Sequence, residues 1–241
     1  MIRRGDKRGS HIGVVISFAI FVAFLIFLYT LAQPSFQQKE QENALRVYLE
    51  KTLIENVSSE LTIITVNVSS SSLSECISLD GLIGTFEITP RIFVWNAEQV
   101  STQSGIQGND LRIQREDPSD VFFKIHHSED FPDRGSGSWT CENLVEGVGY
   151  DLGVTKVEKY IFSENVIALI NDYIGRYEML KDDLKIPDTY EFGFGLIYSG
   201  GNAIETPDRD VQKNIYIKEI PIQYVNELGK IQTGFLVLKI W

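Results

Sequence analysis

The sequence predicts an α+β protein: a long N-terminal helix, apolar and then amphipathic, followed by a mainly antiparallel β-sheet domain with at least one packed helix. Three observations carry this. No charged residue stands between Arg8 and Lys39. Leucines and other apolar residues then recur at three- and four-residue steps up to Leu61. Beyond that point, short β-branched and aromatic runs alternate with turn-forming residues. The 241 residues are enough for one real core, and two cysteines are too few for a disulfide-dense scaffold.

The apolar run Ile12–Ala32 rises ~1.5 Å per residue, so as a helix it spans about 30 Å, the hydrocarbon thickness of a bilayer. It is longer than the ~7–15 residues of a secretory signal core, and Thr30-Leu31-Ala32 is a poor cleavage site. A retained single span is therefore expected, with membrane lipid as its surroundings. Arg3, Arg4, Lys7 and Arg8 precede it, which places the N-terminus in the cytoplasm. All but one of the 33 acidic residues lie beyond it, in what becomes the extracytoplasmic part. The net charge of −11 leaves no basic stripe for nucleic acid.

Pro34 closes the run and predicts a bend. Leu45, Tyr48, Leu49, Leu53, Val57 and Leu61 then form one helical stripe, with Lys39, Glu40, Glu42, Arg46, Glu50 and Lys51 largely off it. Strands are expected at Leu61–Val68, Gly84–Thr89, Arg91–Trp95 and Val121–His126, with 96–120 mostly loop. Ser163 is a plausible N-cap for a helix with a stripe from Val166 to Leu184, stopped by Pro187. Strands return at Tyr190–Tyr198, Ile215–Val225 and Ile231–Trp241. Asn226–Lys230 reads as a hairpin turn, and Pro221 demands an edge or a bulge.

The search for chemistry finds no catalytic constellation, so an enzyme is the least supported class. Gly135-Ser-Gly-Ser138 lacks the strand-turn-helix setting of a nucleophile elbow. His126 and His127 are neighbours on an expected strand and point to opposite faces, which makes a poor metal pair. Asp208 to Glu219 tracks a calcium-loop spacing but has Lys213 where the turn needs glycine. No phosphate-binding fingerprint surrounds Gly193, Gly195, Gly200 or Gly201. No metal and no cofactor is expected. Cys76 and Cys141 lie beyond the span, where a disulfide is permitted; two buried thiols are the other option. The sequons at Asn56 and Asn67 are glycosylation candidates on the same side.

A basic stretch, then Lys7-Arg8-Gly9, then Ser10-His11-Ile12 opening the apolar run, resembles the leader of type IV pilin-like proteins, closest to the archaeal kind. The resemblance covers about residues 3–60. It implies cleavage between Gly9 and Ser10 at the cytoplasmic face, with Arg8, Gly9 and Ser10 as the processing site. It also implies a structural or assembly role at the cell surface, with copies of the chain or other pilin-like subunits as partners. The chain departs from the family at the fifth position after the cut. Val14 stands where many pilins carry the glutamate that pairs with a neighbour's amino terminus, which weighs against a filament and leaves a minor pilin, a pseudopilin or a plain anchor.

The expected organisation is thus a basic leader (1–9), a membrane helix (10–33), an amphipathic helix (34–61) and an extracytoplasmic α+β domain (62–241). The alternative is a signal-anchored binding or accessory module that never polymerises. Protease added to intact cells is expected to degrade the large domain; protection until lysis would reverse the assigned orientation.

Overall fold

The computed structural model describes residues 11–69, 72, 74–135, 137, 139–207, 209 and 215–241, with the backbone alone at 11–12 and 31–42. Two units part between Glu50 and Lys51. In order, the elements are α1 (His11–Val57), β1 (Ser58–Val68), β2 (Cys76–Leu79), α2 (Leu82–Phe86), β3 (Ile92–Asn96), β4 (Ser101–Gln107), β5 (Asp110–Gln114), β6 (Phe122–His127), β7 (Glu142–Leu144), β8 (Tyr150–Phe162), α3 (Ser163–Asp183), β9 (Phe192–Ile197), β10 (Ala203–Glu205), β11 (Tyr216–Val225) and β12 (Ile231–Ile240). The α+β class is as expected.

From His11 on, the first unit is helical. Within α1, Gly13–Thr30 is the one segment among the described residues long and apolar enough to cross a membrane; its mean hydropathy is 2.5 and none of it is buried. The helix assignment continues through Pro34. In the second unit, α1 ends at Val57 and passes directly into β1, four residues earlier than the stripe suggested. Leu53 and Val57 are buried from the helix, whereas Leu61 is buried from the strand. Four-residue spacing leads into period 2 here with no break in apolar content, so the boundary is invisible to a stripe count.

The strands form one mixed, mostly antiparallel array in the order β10-β9-β12-β11-β8-β1-β6-β3-β4-β5-β2-β7. β1 is its spine, paired antiparallel with β6 on one side and β8 on the other. Alternation sorts its side chains. Ile64, Val66 and Val68 enter one buried cluster, with Ile92, Val94, Phe123 and Ile125 of β3 and β6 and with Ile77, Leu111 and Ile113 from β2 and β5. Leu61 and Ile63 enter another on the opposite face, with Phe93, Trp95, Phe131, Phe162 and Val225. The array turns a corner at β4, whose Ser101 and Thr102 pair with β3 while Gln103–Gln107 pair with β5. That corner lets β5 and β2 pack over β1, β3 and β6.

Several expectations are corrected. Gly84–Thr89 is not a strand: α2 is a single helical turn, entered at Gly81 (φ 71°) and left at Glu87 (φ 51°), with Thr85 Oγ1 donating to the Gly81 carbonyl. The backbone bonds within the segment, Thr85 N–H to the Gly81 carbonyl at 3.1 Å and Ile88 N–H to the Ile83 carbonyl at 3.2 Å, so these donors are not available to a ladder. Residues 96–120 are not mostly loop: β4 and β5 form a hairpin across Gly108-Asn109, with Gly108 at φ 60°. Most of its residues are polar, and its large apolar ones are few, Leu111 and Ile113 buried and Ile106 partly so, so composition hid it. Ser163 does not cap α3; extended Phe162 holds the cap position and Ser163 is the first helical residue, buried. β8, with 13 residues the longest strand, was not anticipated. It carries an almost unbroken exposed stretch from Asp151 to Lys159 between buried ends, so it shows no apolar alternation.

The C-terminal hairpin is as expected, with Asn226 Oδ1 accepting from the backbone of Leu228 and Lys230 to close the turn. Pro221 sits in β11, which meets β8 only at Tyr224 and Val225 in parallel pairing. The missing donor of Pro221 therefore faces an unpaired stretch of edge. α3 packs on β9 through Tyr173 and Tyr177, whose rings meet Phe192 edge-on and stacked, and Tyr173 Oη donates to the Phe192 carbonyl at 2.8 Å.

Each buried apolar side chain of β1 contributes ~1.5–3 kcal/mol, and both neighbouring strands depend on it for pairing. A chain starting at Gln37 is expected to be soluble and to unfold in one cooperative transition. A chain starting at Ser69, which lacks β1, is expected to aggregate; equal solubility and melting of the two would contradict this role for β1.

Candidate functional site

The face of β1, β6 and β3 opposite the larger cluster is only partly covered, and its open part is a cavity of about 440 Å³, within the size range of small-molecule sites. Period 2 decides what it presents. Ile63 and Thr65 of β1 lie in register with His126 and Lys124 of β6, which pair in turn with Phe93 and Trp95 of β3. Phe122 continues the row, and Val154 and Lys156 of β8 close one side. The Asn226–Lys230 turn supplies Lys230 from above, next to Ile231, and the turn after β3 supplies Asn96, Ala97 and Gln99.

Two glycines make this construction possible. Gly229 has φ 74° and lies so close to the Phe93 ring that an added Cβ would come within 2.5 Å of it. Its carbonyl accepts a 2.7 Å hydrogen bond from His126 Nδ1. Gly153 sits at the irregularity in β1–β8 pairing between Ile64 and Val66, where a Cβ would meet Thr65 Oγ1 at 2.4 Å. That hydroxyl donates to the Val154 carbonyl at 2.9 Å. The irregularity turns Val154 toward the cavity.

The charges here run against the rest of the domain. Lys124, Lys156 and Lys230 line the cavity, and no Asp or Glu does. Lys156 pairs with Glu158 at 2.8 Å. Lys230 Nζ stands 5.8 Å from the centre of the Trp95 ring, a cation–π contact. Trp95 is 7% exposed, and its buried Nε1 has no acceptor among the described residues. An unmet buried donor of this kind costs about 1–3 kcal/mol.

Both histidines are held neutral. Burial pushes His126 below the ordinary imidazole value, and Lys124 and Lys156 reinforce this against the opposing pull of the Gly229 carbonyl. With Nδ1 donating to that carbonyl, the unprotonated Nε2 is left as an acceptor. Burial also lowers His127, more than Glu129 raises it; its Nε2 accepts from the Thr89 backbone N–H at 3.3 Å. The two rings serve different partners on opposite faces of β6.

A second polar cluster lies under α3. Lys181, almost fully buried, reaches Glu191 Oε1 at 3.1 Å and the Asp188 carbonyl at 3.3 Å, while Tyr177 donates to the other Glu191 oxygen. Burial and the Glu191 hydrogen bond push the Tyr177 phenol well up, and the Arg209 guanidinium covers its ring at 3.5 Å. Every group there has a partner, so the cluster is structural.

Arg8, Gly9 and Ser10 lie outside the described residues, as do Ser136 and Ser138 and, within the Asp208–Glu219 segment, Asp208 and residues 210–214. Cys76 and Cys141 are joined by a disulfide with a Cα–Cα distance of 4.6 Å, pinning three-residue β7 beside β2. Closing a loop of this length stabilises the domain by about 4 kcal/mol in the chain-entropy picture. Asn56 and Asn67 are exposed; the Asn56 amide donates to the Thr52 carbonyl within α1. The basic cavity escaped sequence reading because its lysines come from β6, β8 and the last hairpin. The available signal was Lys124 and His126, two apart on an expected strand. No family model, no curated protein and no solved structure matches the chain.

Because His126 and His127 bind protons more weakly folded than unfolded, stability is full above about pH 6.5 and falls as pH drops through that value. The loss levels off below the folded-state pKa values. The melting temperature of the protein is expected to fall between about pH 7.5 and about pH 5.5, and His126→Gln to flatten that fall. An unchanged slope in the variant would remove His126 from the account.

Proposed function

We propose that the chain is a single-pass, membrane-anchored cell-surface protein of pilin-like build, serving as a structural or assembly subunit. The observation that supports this is α1: its Gly13–Thr30 segment is uncharged, strongly apolar and unburied, and the same helix continues to Val57, where the sheet begins. Exposed Val14, Phe18, Phe21 and Leu25 would be costly in water, and lipid or neighbouring apolar helices would cover them. The disulfide fits an oxidising exterior. In this reading the basic leader stays in the cytoplasm and the large domain lies outside. The likeness to pilins rests on Lys7-Arg8-Gly9 and the apolar run that follows.

Val14 cannot supply the carboxylate that a neighbour's new amino terminus would seek, so a minor or initiating subunit fits better than the repeating unit of a filament. The lysine-lined cavity favours a second reading, an anchored extracytoplasmic binding module that does not polymerise.

The two readings separate at one bond. Mass spectrometry of the mature N-terminus from native membranes is expected to find Ser10 first, about 1 kDa having been lost with the leader. Gly9→Val, which puts a branched side chain before the scissile bond, is expected to block the cut while leaving insertion intact. Full-length wild-type protein, in cells with an active prepilin peptidase, would overturn the pilin-like reading and leave the anchored module.

A further inference from the structure

The cavity on the β1–β6–β8 face has the features of a ligand site that a bare sheet surface lacks. Three ammonium groups from three separate elements converge on it, in a domain whose charge is otherwise strongly negative. Lys124 has no hydrogen-bond or ion-pair partner among the described residues. The Lys230 ammonium rests only against an aromatic face. Trp95 adds a buried N–H without an acceptor. The walls between these groups are apolar, from Ile63, Val154 and Phe122.

We propose that this cavity binds a small organic oxyanion: a carboxylate or phosphate group on a compact body with an apolar face. The acidic group would take the Lys124 and Lys230 ammoniums, and the body would lie against Ile63, Val154 and the edge of Trp95. Lys156 is already paired with Glu158 and contributes less. Neutral His126 offers an acceptor to a hydroxyl or amide on the same body. A cation is disfavoured by the lysines, and a wholly apolar ligand would leave the charged groups desolvated and unpaired. The site lies wholly within the second unit, so it does not depend on whether the chain polymerises or is processed.

The test uses full-length protein in detergent micelles, with calorimetric titration of four probes: glucuronate, glucose, phenyl phosphate and inorganic phosphate. Saturable binding is expected for glucuronate or phenyl phosphate, and the one that binds identifies the acidic group. That probe is expected to bind at least about tenfold more tightly than its counterpart, glucose or inorganic phosphate, and to weaken as ionic strength rises. Joint Lys124→Ala and Lys230→Ala replacement is expected to weaken it by roughly tenfold to a hundredfold without lowering the melting temperature. Lys124→Arg should retain binding, and Lys159→Ala, outside the cavity, should have no effect. Three results would each overturn the proposal: no saturable binding of either organic anion by folded wild-type protein, glucose binding as tightly as glucuronate, or full affinity in the double variant. Inorganic phosphate binding as tightly as phenyl phosphate would overturn the organic body.

Discussion

Two-sided burial of β1 is the constraint on which the rest of the second unit depends. A strand paired along both edges and covered on both faces has no freedom to slip by one residue, because a slip would exchange Ile64 and Val66 with Ile63 and Thr65. Ile64 and Val66 are fully buried in one core, and Ile63 belongs to the other. Thr65 carries the hydroxyl that holds the Val154 carbonyl. Register in β1 therefore fixes register in β6 and β8. Through β6 it fixes β3, and it decides that Lys124 and His126 face the cavity while Phe123 and Ile125 face the core.

The cavity follows from how unevenly the second face is covered. Phe131, Phe162 and Val225 seal one end of it. Toward the other end the row ends in Lys124, Phe122 and Val154, bordered by the turn after β3 and overhung by the Asn226–Lys230 turn. The overhang is held by a glycine with no alternative. Gly229 is in the left-handed region, crowded against Phe93, and bonded through its carbonyl to His126. The tautomer of His126, the position of Lys230 and the depth of the cavity share this one anchor.

Much of the architecture was legible where one face of an element is buried and the other wet. The terminal hairpin and the body of α3 show such a pattern; β1, β3 and β6 were legible instead as short β-branched and aromatic runs, and the apolar half of α1 as an uninterrupted apolar run. Reading failed where that contrast is missing. β8 is exposed on both faces over most of its length and paired through its backbone, so its side chains carry little information. The β4–β5 hairpin buries few large residues, and α2 packs β-branched content into a helical turn around a left-handed glycine. The disulfide was anticipated as one of two options from compartment alone, and only backbone proximity decides it. The cavity could not be assembled from sequence, because its lysines belong to strands whose adjacency is a property of the whole sheet.

The strand order also acts as a timetable. β1 follows directly on the N-terminal helix, yet it must wait for both of its neighbours: Thr65 meets Val154 across 89 residues, and His126 meets Gly229 across 103. Closing such distant pairs costs chain entropy before any contact repays it, so folding is governed by the late strands rather than the early ones. Until β8 and the last hairpin dock, the apolar sides of β1, β3 and β6 lie bare to other chains. The exposed, charged middle of β8, with Lys156, Glu158 and Lys159 along it, is well suited to such an interval: a nascent edge studded with charge is a poor template for a second molecule.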